Sequence, residues 1–160
     1  MLTDASAAHL PTPPSMPGRR FAVLVARFNS EITDVLRERC VAGLVECGVD
    51  EGDIDVMHVP GAWELPQVAS HLSRLKRHDC VIALGCVIRG ETAHFDFVAG
   101  EASSGLGAVA RGESLPIVFG VLTPDTEEQA WERAAPDKGD KGREFALSAL
   151  HMVTLYEGLR

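Results

Sequence analysis

The chain has 160 residues, a mass of 17.2 kDa and a formal net charge of −8. This length suits one domain with a single sizeable core, and the acidic balance argues against a nucleic-acid-binding protein. The composition, 46% hydrophobic and 24% charged, excludes a disordered chain. No apolar run approaches the roughly 20 residues that span a bilayer, and the first 20 residues lack the apolar segment of a secretion signal. We therefore expect a soluble, cytoplasmic protein.

The cysteines and histidines follow no metal-binding pattern. Cys40, Cys47, Cys80 and Cys86 match neither zinc-ligand spacing nor a redox pair, and the histidines form no ligand-spaced cluster. Cysteines in apolar stretches behave as small hydrophobic residues. We predict reduced, buried thiols and no metal site.

Two regions are expected along the chain. Residues 1–18 carry Pro11, Pro13, Pro14 and Pro17 among small polar residues, which predicts a flexible N-terminal arm. Residues 19–160 form a single domain in which apolar runs alternate with helical patterns. The runs that predict strands are 21–26, 54–59, 81–88 and 116–122. Helices are expected from 30 to Gly48, over 63–75, after Gly90, from about 125 and over about 142–159.

Local sequence also predicts how two of these helices begin. Asn29 or Ser30 is expected to cap the first helix. Asp125 and Glu128 have the spacing of a capping box at the start of the fourth helix.

Strands that alternate with helices indicate a parallel sheet covered on both faces. The predicted fold class is therefore α/β, a three-layer α/β/α sandwich with a four-stranded parallel, flavodoxin-like sheet. Ligands of such sheets bind outside the carboxyl ends of the strands. The segments 27–30, 60–65, 89–94 and 123–126 follow the four strands and are the expected site.

The segment 89–94 runs from a strand into a helix. Free backbone N–H groups and the helix dipole would form an anion site there, with Gly90 allowing close approach and His94 carrying protons near neutral pH. Alternatively, Thr92 caps the helix and His94 is a surface residue.

The remaining candidates also have two interpretations each. Glu64 accepts hydroxyl hydrogen bonds from a ligand, or it complements the dipole of its own helix. Phe28 stacks on a heterocycle or packs internally, and Phe119 is a core residue by default. Arg133 and Lys141 bind phosphate or carbonyl groups, or they are ordinary partners of a helix C-terminus.

From about residue 21 to residue 155 the sequence resembles the 6,7-dimethyl-8-ribityllumazine synthase family of riboflavin biosynthesis. The resemblance rests on ordered motifs, of which the longest are PGAWELP at 60–66 and GCVIRGETAHFDFV at 85–98. Shorter ones are RFN at 27–29, FGVLT at 119–123, EQA at 128–130, ERA at 132–134 and KG at 141–142.

The resemblance implies a transferase that condenses 5-amino-6-(D-ribitylamino)uracil with 3,4-dihydroxy-2-butanone 4-phosphate, giving the lumazine, phosphate and water without a cofactor. It implies that His94 transfers protons and that Glu91, Thr92 and Arg133 bind the butanone phosphate. The implied pyrimidine site comprises Phe28, Ala62, Trp63, Glu64, Cys86, Val87, Ile88, Phe119 and Lys141.

The resemblance also implies that copies of the chain assemble into an oligomer. Family members are homopentamers with active sites at subunit interfaces, and Phe119 would close the pocket of a neighbouring subunit, with Arg133 and Lys141 nearby. The connection between Arg133 and Lys141 has no insertion of the kind that pentamer-only members carry. This difference favours an icosahedral shell of pentamers. The expected partners are the small-molecule substrates, further copies of the chain and riboflavin synthase, without nucleic acid or membrane.

Two other functions fit the same sheet pattern. A flavodoxin-like binding module would hold a flavin or lumazine without turnover. A structural shell protein with a vestigial site would assemble without binding the pyrimidine. The joint presence of Phe28, Glu64, His94 and Arg133 favours the enzyme over both.

Overall fold

The computed structural model describes residues 10–15 and 17–160, in which strands and helices alternate. The strands are β1 (Phe21–Ala26), β2 (Ile54–Val59), β3 (Cys80–Cys86) and β4 (Ile117–Leu122). The helices are α1 (Ser30–Glu46), α2 (Leu65–Leu75), α3 (His94–Glu113), α4 (Glu127–Ala134) and α5 (Lys141–Gly158). Single 3₁₀ turns at Glu51–Asp53 and Ala62–Glu64 precede β2 and α2.

The four strands form one parallel sheet in the order β2-β1-β3-β4. Phe21 of β1 lies opposite Ile54 of β2 and Cys80 of β3. All six residues of β1 are fully buried, because this strand is central and helices cover both faces of the sheet. The predicted α/β class and the parallel sheet are confirmed.

Alternate residues of β1 point into two separate cores. Phe21, Val23 and Val25 pack in one core with α1, α4 and α5. Ala22, Leu24 and Ala26 pack in the other core with α2 and α3. Three layers follow directly from this alternation, as the sequence predicts. The four cysteines are buried, also as predicted.

The helix starts differ from the predictions in detail. Asn29 occupies the N-cap position of α1 in the left-handed conformation (φ 59°), but its side chain does not cap the helix. Thr126 caps α4, its hydroxyl accepting a hydrogen bond from the Gln129 N–H, so the capping box predicted at Asp125 and Glu128 is wrong. β3 ends at Cys86, two residues earlier than predicted, and α2 begins at Leu65 after a 3₁₀ turn.

Part of the predicted N-terminal arm, residues 1–9 and 16, lies outside the described residues. Among the described ones, Pro13 is buried, and the Pro11 carbonyl oxygen lies 2.7 Å from Nε2 of His151 on α5. The flexible arm over 1–18 stays a prediction. Within 10–15 and 17–160, no helix has the length and hydropathy to cross a bilayer.

Candidate active site

The order of the strands creates a crevice at the carboxyl edge of the sheet. The chain passes from β2 on one side of β1 to β3 on the other side, so the loops after β1 and β3 diverge to opposite faces. Ligands of open α/β sheets bind at such a switch point. A cavity of about 720 Å³ lies there, which we call the pyrimidine cavity after the ligand that the resemblance implies for its residues. It is lined by eight predicted site residues: Phe28, Ala62, Trp63, Glu64, Cys86, Val87, Ile88 and His94.

The loop after β1 presents an aromatic ring to this cavity. Phe28 is 73% exposed, so it is not a core residue. Its N–H donates to the Pro60 carbonyl oxygen at 3.2 Å, and its ring lies so close to Gly61 that a Cβ there would be 3.1 Å from Cδ2. The next residue, Asn29, donates from Nδ2 to the Cys86 carbonyl oxygen at 2.7 Å. These contacts fix the ring beside the ends of β2 and β3.

The 3₁₀ turn after β2 orients a carboxylate. Oε2 of Glu64 accepts a hydrogen bond from the Gly61 N–H at 3.0 Å, in a reciprocal cap of the turn. Both interpretations of Glu64 are therefore compatible: one oxygen closes the turn, and the other is left to accept hydrogen bonds from a ligand. Trp63 beside it is 51% exposed and offers a second aromatic surface.

The end of β3 forms the floor of the cavity. Burial raises the pKa of the Cys86 thiol to about 11, so this thiol is protonated at neutral pH and lines the cavity as a small apolar group rather than a nucleophile. The Val87 N–H donates to the Leu122 carbonyl oxygen at 2.8 Å, which ties the start of the loop to the end of β4.

The loop 87–93 leads into α3, and His94 is the first residue of that helix. The Thr92 hydroxyl is 3.4 Å from the His94 N–H, a long contact, and α3 has no side-chain cap. The exposed N–H groups of Gly90, Glu91 and Thr92 donate to no acceptor in the part of the chain that the structure describes. Free N–H groups at the start of a 20-residue helix, together with its dipole, have the chemistry that attracts an anion.

Five predicted site residues do not line the pyrimidine cavity. Phe119, Arg133 and Lys141 line a second cavity of about 460 Å³ beside the end of β4, which we call the cationic cavity. The two cavities share no lining residue. Glu91 and Thr92 line neither cavity and lie in the exposed loop before α3.

Two residues of the cationic cavity differ from one of the interpretations that the sequence left open. Phe119 is 43% exposed and is not a core residue, because β4 is an edge strand whose face is uncovered at this position. Lys141 is not near a helix C-terminus: it begins α5, where the dipole disfavours a cation, and its Nζ pairs with Oε2 of Glu144 at 2.8 Å. Arg133 is exposed in the last turn of α4, and one of its nitrogens donates to the Gln129 carbonyl oxygen at 3.1 Å.

Four residues that line the pyrimidine cavity were not named individually as site residues: Asn29, Gly61, Phe97 and Val98. Asn29 and Gly61 lie within the predicted segments 27–30 and 60–65, whereas Phe97 and Val98 lie outside all four segments. Phe97 and Val98 lie three and four positions after His94, and residues at these spacings share one face of a helix. That spacing was a signal available in the sequence. Phe97 is 71% exposed, so it contributes a third aromatic surface to the cavity mouth.

The fold and the site define a flavodoxin-like α/β protein with a small-molecule site at the carboxyl edge of its sheet. Residues 18–157 match the family described as 6,7-dimethyl-8-ribityllumazine synthase. Proteins of that name from Yersinia pestis (strain Pestoides F) and Yersinia pseudotuberculosis serotype O:1b (strain IP 31758) are each 50% identical to it over 145 residues, 90% of this chain and 93% of the relative. The chain belongs to this family of riboflavin-biosynthesis enzymes, which confirms the resemblance and the enzyme class.

Proposed function

We propose that the chain catalyses its family's reaction at the carboxyl edge of the sheet: 5-amino-6-(D-ribitylamino)uracil condenses with 3,4-dihydroxy-2-butanone 4-phosphate. An amine adds to the ketone and water leaves. Phosphate is then eliminated, and attack of the second amine on the remaining carbonyl closes the ring with loss of a second water. The observation that carries the proposal is the gathering of eight predicted residues in the pyrimidine cavity of a chain that belongs to this family.

The pyrimidine cavity takes the uracil and its ribityl chain. Phe28, held beside Gly61, offers its exposed face for stacking, while the free carboxylate oxygen of Glu64 accepts hydrogen bonds from ribityl hydroxyls. Backbone groups of Cys86, Val87 and Ile88 face the ring edge. The site is mostly apolar with few oriented polar groups, as is typical of small-molecule pockets.

The phosphate of the second substrate binds at the N-terminus of α3. The N–H groups of Glu91 and Thr92 donate to its oxygens, and the helix dipole favours its charge. Arg133 supplies the guanidinium that pairs with phosphate oxygens. A local cation is needed here, since a chain of net charge −8 repels a phosphate dianion on average.

His94 transfers the protons. It begins α3 at the rim of the pyrimidine cavity, next to the phosphate-binding N–H groups. An imidazole gains and loses a proton near neutral pH, which each amine addition, dehydration and elimination requires. Most of the acceleration comes from aligning two reactive substrates, so His94 assists turnover without being indispensable.

A complete site combines the pyrimidine cavity of one copy with the cationic cavity of the next. Three observations favour this. The two cavities of one chain share no residue, and the exposed Arg133 lines the cationic cavity, which Glu91 does not. Exposed aromatic surface also lies at the cavity mouths, on Phe28, Phe97, Trp63 and Phe119. Aromatic residues are enriched in protein interfaces. We propose a pentamer, assembled further into a shell, that works in the cytoplasm and associates with riboflavin synthase.

Turnover with both substrates tests the function. Purified protein should accelerate the appearance of lumazine absorbance and of free phosphate over the slow uncatalysed background, with the two products rising together. Binding of the pyrimidine without acceleration would favour a binding module instead. Assembly without pyrimidine binding would favour a structural shell protein.

A further inference from the structure

The loop that carries the proposed phosphate-binding N–H groups has no regular secondary structure of its own. Its first half is bonded to the end of β4 and to the segment after it: the Val87 N–H donates to the Leu122 carbonyl oxygen at 2.8 Å, and the Arg89 N–H donates to the Pro124 carbonyl oxygen at 3.0 Å. The backbone of 90–92 makes no such bond within the described chain. Within the described chain, the backbone hydrogen bonds of this loop therefore hold only its first half.

The side chain of Arg89 makes three contacts on either side of the second half of the loop. Its Nε donates to Oδ1 of Asp125 at 2.8 Å, and its Nη1 lies 3.5 Å from Oδ1 of Asp96 on α3. Its guanidinium carbon sits 4.4 Å from the centre of the Phe95 ring, which is buried. The planar group is therefore engaged by two carboxylates and an aromatic face. It bridges the start of α3 and the segment that follows β4.

Asp125 is itself fixed, and its contacts continue along α4 to Arg133, which in the proposed assembly completes the site of another copy. The Asp125 N–H donates to Oε1 of Gln129 at 2.7 Å. The Gln129 carbonyl oxygen in turn accepts from Nη1 of Arg133 at 3.1 Å. One run of hydrogen bonds thus joins the loop before α3 to the helix that carries Arg133.

We propose that Arg89 is a positioning residue for the phosphate of the second substrate. Through its hydrogen bond to Asp125, Arg89 keeps the N–H groups of Glu91 and Thr92 in the geometry that binds the phosphate. This inference rests on the proposed function, which assigns the phosphate to those groups. Arg89 acts through the loop and does not contact the phosphate itself, because its guanidinium is already engaged by Asp125, Asp96 and Phe95.

Removal of Asp125 distinguishes positioning from direct binding. If Arg89 bound the phosphate directly, Asp125→Ala would free its guanidinium and delete a nearby negative charge, and both effects would strengthen binding of the dianion. If Arg89 acts by positioning, the same variant loosens the loop and weakens binding in spite of the more favourable charge.

The experiment measures KM for each substrate in the wild type, Arg89→Gln, Asp125→Ala and the double variant. Each single variant should raise KM for the butanone phosphate on the order of tenfold, while KM for the pyrimidine stays within about twofold. The double variant should have about the same KM for the butanone phosphate as each single variant, because each single substitution already removes the contact between Arg89 and Asp125. Arg89→Lys, which keeps the charge near Asp125 but not the planar stack on Phe95, should lie between wild type and Arg89→Gln.

The matched control is Arg74→Gln, which removes an exposed positive charge in the last turn of α2, at the opposite edge of the sheet, and should leave both KM values unchanged. Unchanged KM in Arg89→Gln, a lowered or unchanged KM in Asp125→Ala, or multiplicative effects in the double variant would overturn the positioning role. A wild type without turnover would overturn the proposed function and this inference together, whereas wild-type turnover with an unaffected Arg89→Gln overturns only the inference.

Discussion

Replacement of Arg133 by alanine should weaken use of the butanone phosphate and leave use of the pyrimidine almost intact. Arg133 is exposed at the end of α4, and among the described residues only one of its five N–H donors has a hydrogen-bond acceptor, the Gln129 carbonyl oxygen at 3.1 Å. The others are available to a phosphate. Because nothing in the core depends on this side chain, Arg133→Ala should fold and assemble normally.

The size of the effect follows from the kind of bond that is lost. A hydrogen bond to a charged group contributes about 1.5 to 3 kcal/mol, and each 1.4 kcal/mol is a factor of ten in affinity. KM for the butanone phosphate should therefore rise by about ten- to a hundredfold. Arg133→Lys keeps the charge without the planar fork and should recover part of the loss.

The assay is steady-state formation of lumazine with one substrate varied and the other saturating. Arg74→Ala, on the opposite edge of the sheet, controls for the loss of one positive charge. The reasoning would be refuted by an Arg133→Ala protein of normal assembly whose KM for the butanone phosphate equals that of the wild type. An equal rise in both KM values would also contradict it, since it would indicate a general disturbance of the site.

Three further variants probe catalysis and the scaffold. His94→Ala should lower kcat on the order of a hundredfold without abolishing turnover, because general acid–base catalysis supplies only part of the acceleration. Gly142→Ala should destabilise the fold by about 2 kcal/mol in chemical denaturation, because a Cβ there would overlap the carbonyl oxygen of Leu36 on α1. The pKa of Asp55 is lowered, chiefly by its hydrogen bond with His78. The ionised carboxylate therefore stabilises the fold above the ordinary carboxyl pKa, and this stabilisation is lost as the pH falls through the lowered pKa. Asp55→Asn should cost about 1 kcal/mol at pH 7, a modest amount because the carboxylate is partly exposed, and the difference from wild type should shrink below about pH 4.

Each of these variants has its own control or contrary result. Complete inactivity of a folded His94→Ala assembly would contradict the minor role of proton transfer. Gly52→Ala, where no atom lies within 4 Å of the added Cβ, should change stability by less than about 0.5 kcal/mol. For Asp55→Asn, a difference from wild type that grows as the pH falls would have the wrong sign.

The strands and the layers could be predicted from the sequence because burial on both faces leaves a direct pattern. The run Phe21–Ala26 is apolar throughout, as expected of a strand that two helical layers bury on both faces. The strand ends were harder to predict, because an apolar run in the sequence can continue past the last residue that is hydrogen-bonded in the sheet. Val87 and Ile88 continue the apolar run of β3 but already belong to the loop that lines the cavity.

Other features depend on contacts distant in sequence. Asn29 looks like an ordinary helix cap, yet its amide group donates to Cys86, 57 residues away. Arg89 and Asp125 each lie in segments selected as possible ligand loops, but their mutual hydrogen bond requires β3 and β4 to be neighbours. The exposure of Phe119 likewise follows from the position of β4 at the edge of the sheet. None of these contacts leaves a periodic pattern.

The division of the site between two cavities could be expected only from the resemblance. The residues themselves make Phe28, Arg133 and Lys141 candidates for ligand binding, but they do not divide these candidates between pockets. The described chain instead keeps the cationic cavity apart from the pyrimidine cavity. In the proposed assembly a neighbouring copy completes each cavity, and the hydrophobic pattern of one chain does not encode that contact.

The central claim is that each active site joins the pyrimidine cavity of one copy to the cationic cavity of another. Its most direct test is turnover by mixed oligomers, made by unfolding and refolding His94→Ala and Arg133→Ala chains together in equal amounts. With random mixing, about a quarter of the sites combine two intact halves, so the mixture should approach a quarter of the wild-type rate at limiting butanone phosphate. A rate equal to the average of the two separately refolded variants would show that both residues act from the same chain and would contradict the account.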